Sequence, residues 1–92
     1  MFARIQFYDF MTISGKPYVV FRVDSLPGAS CKDTRSGNGQ ATWTSASFSI
    51  GVAGYAYPAH DYTSWPSGTY SVVTRCSLGS SVTSSPASVV IP

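Results

Sequence analysis

The stretch TYSVVTRCSL, residues 69–78, decides the fold class of this chain. Its successive side chains alternate between two faces, as the period of two in a β-strand requires. The predicted inward face holds Tyr70, Val72, Cys76 and Leu78, and the outward face holds Ser71, Val73, Arg75 and Ser77. Aromatic and β-branched residues favour strands, and Gly79-Ser80-Ser81 marks a turn after them. The stretch therefore predicts an amphipathic strand that covers a core.

The composition of the whole chain favours a single all-β domain. Of its 92 residues, 43% are hydrophobic and only 11% are charged, and glutamate is absent. A chain of this length builds one core. Its cations are dispersed, without the clustered basic patch of a nucleic-acid surface, and no apolar run is long enough to span a membrane. We predict one domain over residues 1–92, with neither nucleic acid nor a membrane as partner.

Alternation and turn residues predict the strands of the N-terminal half. Strands are predicted over residues 3–8 and 18–24, with a turn at Ser14-Gly15-Lys16-Pro17 between them. A short edge strand is predicted over residues 29–36. Asn38-Gly39 then predicts a type I′ hairpin, because that turn needs positive φ at both central residues.

The C-terminal half begins with one long predicted strand, from Gln40 to Tyr57. Trp43 is out of phase with the apolar face of this strand, so either a bulge lies near Ser45 or Trp43 faces away from the core. The last strand is predicted over residues 87–91, and Pro86 confines its start to an edge or a bulge.

About six or seven strands separated by regular turns predict a small antiparallel β-sandwich. The segment from Trp65 to Thr74, WPSGTYSVVT, resembles the P-x-G-T-Y-x-V entry into the penultimate strand of bacterial and phage immunoglobulin-like and fibronectin III-like domains. Residues 85–91 resemble their last strand, and the likeness covers about 25 of the 92 residues. It implies an Ig-like sandwich and transfers no functional residue. In antibody domains the strand tyrosine lies two residues before the cysteine, whereas Tyr70 lies six before Cys76.

The two cysteines, Cys31 and Cys76, are either a disulfide or a pair of buried thiols. A bridge over 45 positions would stabilise so small a domain by roughly 3–4 kcal/mol. Two cysteines alone do not make a tetrahedral zinc site, and there is no phosphate-binding loop, dinucleotide fingerprint or calcium loop. We therefore expect neither a metal nor another cofactor.

No catalytic constellation is evident from the sequence. The single histidine, His60, adjoins Asp61, and adjacent residues seldom reach the geometry of a Ser-His-Asp system. We predict that His60 and Asp61 form a polar loop tip in which Asp61 binds nearby backbone N–H groups. The chain is therefore expected not to be an enzyme.

Aromatic residues are the candidate interaction residues of this chain. So small a core cannot hold all of them, and rigid amphipathic rings are typical of binding surfaces. The candidates are Tyr55, Tyr57, Tyr62, Trp65, Trp43 and Phe2. For Trp65 the alternative is a plug at one end of the sandwich. The apolar and aromatic first ten residues favour a strand that docks on a neighbour.

These features together favour a structural subunit of an assembly. Lysine and glutamate, which are depleted at interface cores, are nearly missing here. The chain starts at Met1 without a secretory-signal pattern, yet it has the serine-, threonine- and tyrosine-rich composition of extracellular modules. We predict a homo-oligomeric phage virion protein, a capsid decoration (cement) or tail component made in the host cytoplasm. The alternative is a carbohydrate-binding or adhesive module of a secreted or cell-surface protein, of which the chain is then a fragment.

Overall fold

A computed structural model describes all 92 residues, which form ten strands and no helix. The strands are β1 (Ala3–Ile13), β2 (Lys16–Ser25), β3 (Ser30–Gly37), β4 (Gln40–Thr44), β5 (Phe48–Ser49), β6 (Tyr55–Ala56), β7 (Ala59–Asp61), β8 (Gly68–Leu78), β9 (Ser80–Thr83) and β10 (Ala87–Ile91). All pairings are antiparallel and make two sheets, which confirms the all-β class. No helix with the length and apolarity of a membrane crossing is present.

The ten strands occupy seven positions across the two sheets. In the first sheet, β2 pairs with β1 on one side and with β6 and β7, end to end, on the other. In the second sheet, β3 and β8 are central; β4 and β5 share the outer side of β3, and β9 and β10 share the outer side of β8. Three of the four sheet edges are thus made of two short strands, and only β1 is a single long edge.

Two strand predictions are wrong. Residues 29–36 do not form an edge strand, because β3 lies between β8 and the β4–β5 edge. The long strand from Gln40 to Tyr57 does not exist: β4 and β5 belong to the second sheet, and the chain crosses to β6 in the first sheet. Val52 lies in that crossing and is 98% exposed. An apolar alternation alone does not reveal the change of sheet.

Where the two edge strands of the second sheet are interrupted, serine side chains replace the backbone hydrogen bonds between strands. Ser45 donates its N–H to the Asp33 carbonyl, and its hydroxyl accepts the Asp33 N–H at 3.0 Å. Ser84 makes the same pair of bonds with Thr74, its hydroxyl accepting the Thr74 N–H at 2.9 Å. Asp33 and Thr74 are themselves opposite each other in the sheet. Both edge strands therefore break along one row without leaving buried N–H groups unpaired.

The two predicted hairpin turns are present. Ser14 and Gly15 both have positive φ, at 51° and 77°, between β1 and β2. Asn38 and Gly39 have φ of 54° and 67° between β3 and β4, as a type I′ turn requires.

The core lies between the sheets. It contains Ile5, Val19, Phe21, Val23, Ala29, Cys31, Ile50, Trp65, Tyr70, Val72, Cys76, Val89 and Ile91. The predicted inward face of β8 is confirmed for three of its four residues, but Leu78 is 49% exposed because the strand extends past the core there. Thr74, which continues the inward alternation of β8, is fully buried.

Candidate interaction surface

Tyrosines cluster on the outer face of the first sheet. The Tyr8 and Tyr57 rings lie 4.7 Å apart, and the Tyr57 and Tyr55 rings lie 5.6 Å apart, measured between centroids. All three side chains are exposed. The predicted candidates Tyr55 and Tyr57 are thus on the surface, where they join Tyr8 of β1. We call these three rings the tyrosine patch.

Arg22 of β2 ties this patch together. Its guanidinium carbon lies 4.5 Å from the Tyr55 ring centroid and 5.9 Å from that of Tyr57. Two guanidinium nitrogens bind Asp24 at 3.0 and 3.2 Å, and this hydrogen bonding raises the pKa of Arg22 above its ordinary value. The patch therefore presents a fixed cation among tyrosine rings, a combination enriched at protein-interaction hot spots.

Strand β1 is exposed along nearly its whole length. Of its eleven residues only Ile5 is buried, although the strand carries several large apolar side chains. Seven of the thirteen exposed large hydrophobic side chains of the chain lie within residues 1–13: Met1, Phe2, Phe7, Tyr8, Phe10, Met11 and Ile13. The predicted candidate Phe2 belongs to this group at 48% exposure. A long apolar edge of this kind is where sheets associate.

An apolar groove of about 220 Å³ runs between β1 and β10. Phe7 and Phe10 form one wall with ring centroids 5.1 Å apart, and Val89 and Val90 form the other. Both phenylalanine side chains point toward the core side of the first sheet, yet 41% and 38% of their surface stays exposed. The two sheets thus leave an apolar margin uncovered beside β1.

The prediction that Trp65 lies on an exposed interface is wrong. It is only 6% exposed and packs between Trp43 and Tyr70, with ring centroids 5.2 and 5.6 Å away. The Arg35 guanidinium carbon lies 4.8 Å from the Trp65 ring. The alternative prediction of a plug therefore describes Trp65. Its loop folds back because the Tyr70 hydroxyl donates to the Pro66 carbonyl.

Trp43 and Tyr62 are half-buried rather than free on the surface. Trp43 packs against the core beside the break at Ser45, as the predicted irregularity in that strand allows. The Tyr62 ring lies 5.7 Å from that of Phe10 and packs against the core. Neither side chain belongs to the tyrosine patch.

His60 is not at a loop tip, contrary to the prediction. It lies on β7, is 8% exposed, and its Nε2 is 2.7 Å from Oδ2 of Asp33 on the opposite sheet. The other carboxylate oxygen of Asp33 is buried without a partner. Nothing in the sequence signals this pair, because its members are 27 residues apart on different sheets.

A cleft of about 360 Å³ opens beside His60. Its lining residues are Trp43, Ser45, Ala46, Phe48, Pro58, Ala59, His60 and Asp61. The Ser45 hydroxyl in this cleft accepts the Asp33 N–H and donates to the Ala46 carbonyl at 2.8 Å. The hydrogen bonds of the structure therefore join the imidazole to a carboxylate but not to a hydroxyl.

Asp61 binds locally, as predicted. Its Oδ1 accepts the Thr63 hydroxyl at 2.6 Å and the Thr63 N–H at 2.9 Å. These bonds, the one from the hydroxyl first, lower the pKa of Asp61 below its ordinary value. The carboxylate at the mouth of the cleft is therefore ionised over a wider pH range.

Cys31 and Cys76 form a disulfide between directly opposite residues of β3 and β8. Both are buried. The bridge lies within one sheet, unlike the inter-sheet bridge of antibody domains. No group of three or more His, Cys, Asp or Glu side chains with metal-binding geometry is present.

No protein-family model, curated protein or solved structure matches this chain.

Proposed function

We propose that this chain is a non-enzymatic subunit of a homo-oligomeric protein assembly, and that the assembly is a phage virion in which it serves as a capsid decoration or tail protein. The observation that carries the proposal is the concentration of exposed apolar and aromatic side chains on β1 and on the tyrosine patch beside it. A stable interface buries roughly 800 Å² per partner, about a sixth of the 5026 Å² accessible surface here.

The virion placement is supported by composition and by the disulfide. Structural disulfides are typical of proteins that work outside a reducing cytosol. A surface poor in charge suits a subunit held among copies of itself, where repeated contacts add avidity. Neighbouring genes test the placement: a capsid or tail gene cluster supports it, and a secretory signal in frame upstream of Met1 contradicts it.

We further propose that the sandwich is of the Ig-like or fibronectin III-like type. The second sheet has the order β10-β8-β3-β4 and the first β1-β2-β6, which parallels the G-F-C-C′ and A-B-E orders of such domains. The bond from the Tyr70 hydroxyl to the Pro66 carbonyl supports the proposal, because a tyrosine corner also joins a tyrosine hydroxyl near the start of this strand to a backbone group a few residues upstream, although Tyr70 lies six residues before Cys76 and not two.

Size-exclusion chromatography with light scattering tests the assembly. We expect a discrete oligomer at micromolar concentration, and a monomer throughout that range would refute the proposal. Tyr57→Ala is expected to weaken the oligomer while the domain stays folded. Lys32→Ala, an exposed change on the second sheet, is the matched control and should leave it unchanged.

Glycan binding is the second candidate, and the cleft beside Trp43 favours it. A half-buried indole next to the Asp61 carboxylate offers a stacking face and a hydrogen-bond acceptor. Because Trp65 is buried, a sugar that alters tryptophan emission should do so through Trp43. Emission that responds to a sugar series in the wild type but not in Trp43→Phe supports this candidate, and an unresponsive wild type contradicts it.

A further inference from the structure

The bulge in β1 places two opposite charges on one face of the exposed edge. Arg4, Gln6 and Asp9 stand opposite Asp24, Arg22 and Val20 of β2, and the register shifts by one residue between Phe7 and Asp9. The three β2 positions are spaced two apart, so they share the outer face. Without the bulge, a separation of five residues would put Arg4 and Asp9 on opposite faces. With it they share a face, and Gln6 lies halfway between them.

Neither charge has a partner within the chain. The two ion pairs of the structure are Arg22–Asp24 and His60–Asp33, and both Arg4 and Asp9 are exposed. Asp24, which lies across from Arg4, is already bound by Arg22. One carboxylate oxygen of Asp9 accepts the Phe10 N–H, which leaves the other free.

A strand with a cation and an anion equally spaced on either side of one residue is complementary to itself. When two such strands run antiparallel about a two-fold axis at Gln6, Arg4 of each copy faces Asp9 of the other. On the opposite face, Ile5 of each copy faces Phe7 of the other, and Ala3 faces Phe10. The exposed phenylalanine wall of the groove between β1 and β10 is covered in the same arrangement.

We infer that β1 pairs antiparallel with β1 of a second copy of this chain about a two-fold axis at Gln6, and that reciprocal Arg4–Asp9 pairs set the register. The inference rests on the proposed assembly function and specifies its contact. The apolar face supplies area, and the two charge pairs exclude slipped registers, since like charges opposite each other destabilise a sheet.

Two single charge reversals test the register. In an Arg4→Glu homodimer both charge pairs become acidic, and in an Asp9→Lys homodimer both become basic. Each variant alone should dimerise roughly ten- to hundredfold more weakly than the wild type. Mixed together they should form a heterodimer of near wild-type affinity, because both of its charge pairs are again opposite in sign. Native mass spectrometry and sedimentation equilibrium measure the species.

Folding is followed by circular dichroism and thermal unfolding of each variant, because Arg4→Glu puts a carboxylate across from Asp24. Lys32→Glu, which makes the same charge change on the second sheet, is the control and should dimerise like the wild type.

The outcomes separate this inference from the proposed function. If the wild type associates and either folded variant associates equally tightly, the register is wrong while the assembly remains. If both variants are weakened and mixing does not restore the dimer, the charges matter but do not face each other, and the inference fails. A wild type that stays monomeric overturns both.

Discussion

Trp65→Ala and Tyr57→Ala separate the aromatic residues that hold the fold from those that form the surface. The two residues lie on one connection between β6 and β8, and both were interaction candidates from the sequence. Trp65 is 6% exposed and Tyr57 is 43% exposed. The same truncation should therefore have different effects at the two positions.

The cost of Trp65→Ala follows from what the indole contacts. Removing a buried tryptophan from a core costs about 3–5 kcal/mol. The Arg35 side chain, 7% exposed and stacked on the ring, would also lose a cation–π contact of about 0.5–2 kcal/mol. Small domains have a total stability of about 5–15 kcal/mol. We therefore expect the variant to lose about 3.5–7 kcal/mol, which lowers its melting temperature strongly and unfolds it only if the wild type lies at the low end of that stability range.

Tyr57→Ala removes an exposed ring, so its effect on stability should stay below about 1 kcal/mol. Urea unfolding followed by circular dichroism gives the free energy of each variant, and Trp65→Phe provides a folded variant in case Trp65→Ala gives no transition. If Trp65→Ala is as stable as the wild type and loses only association, Trp65 is an interface residue and the reasoning from burial is refuted.

Three further predictions concern single contacts. The double variant Cys31→Ala/Cys76→Ala should lower the free energy of unfolding by about 4 kcal/mol, the chain-entropy value for a loop of 45 residues. The reduced wild type, which keeps both sulfurs, should lose a similar amount. A loss below about 1 kcal/mol in urea melts would contradict this prediction. Gly68→Ala should lower the free energy of unfolding by about 1–3 kcal/mol in the same assay, because Gly68 has φ of +143° and an added Cβ would lie 2.6 Å from the Asn38 side chain. A variant as stable as the wild type would show that the turn relaxes freely. Thr63→Val should raise the pKa of Asp61 toward its ordinary value in an NMR titration. Since the pKa of Asp61 is lowered in the folded state, the contribution of this carboxylate to stability is present above the unfolded pKa and is lost as pH falls through the folded pKa. An unchanged pKa of Asp61 in the variant would show that the Thr63 hydroxyl does not cause the lowered value.

The parts of the fold that local sequence determines could be predicted. Alternation identified the inward faces of β2 and most of β8, and the Asn38-Gly39 turn follows from its own backbone preference. The sequence indicated an irregularity near Ser45, but the serine contacts that close the two breaks in the second sheet could not be predicted, because each joins a serine to a residue distant in the chain. Ser84 closes its break on Thr74, and apolar periodicity carries no trace of that bond.

The exposed aromatic cluster proposed as a contact surface was predicted in outline and not in detail. Counting aromatic residues identified Tyr55 and Tyr57, but the sequence does not show that Arg22 lies between them or that Tyr8 joins them. The bulge between Phe7 and Asp9 was also hidden, and it reverses the face on which every later residue of β1 lies. The sequence did contain one sign that both faces of β1 are exposed. The strand carries aromatic residues on both faces, whereas a strand with one buried face alternates apolar and polar residues.

The three interrupted edges limit how many neighbours a sheet can add. Serine- or proline-containing breaks divide the β4–β5, β6–β7 and β9–β10 edges into pieces of two to five residues, whereas β1 offers eleven in one run. Each molecule therefore offers one long edge for edge-to-edge pairing. A two-fold contact through β1 would use this edge in both partners, and the dimer would have no long edge free. A sandwich with a second intact edge could polymerise into a fibre, whereas the β1 pairing inferred above would end at two copies, and a larger assembly would have to grow through the faces of the sheets.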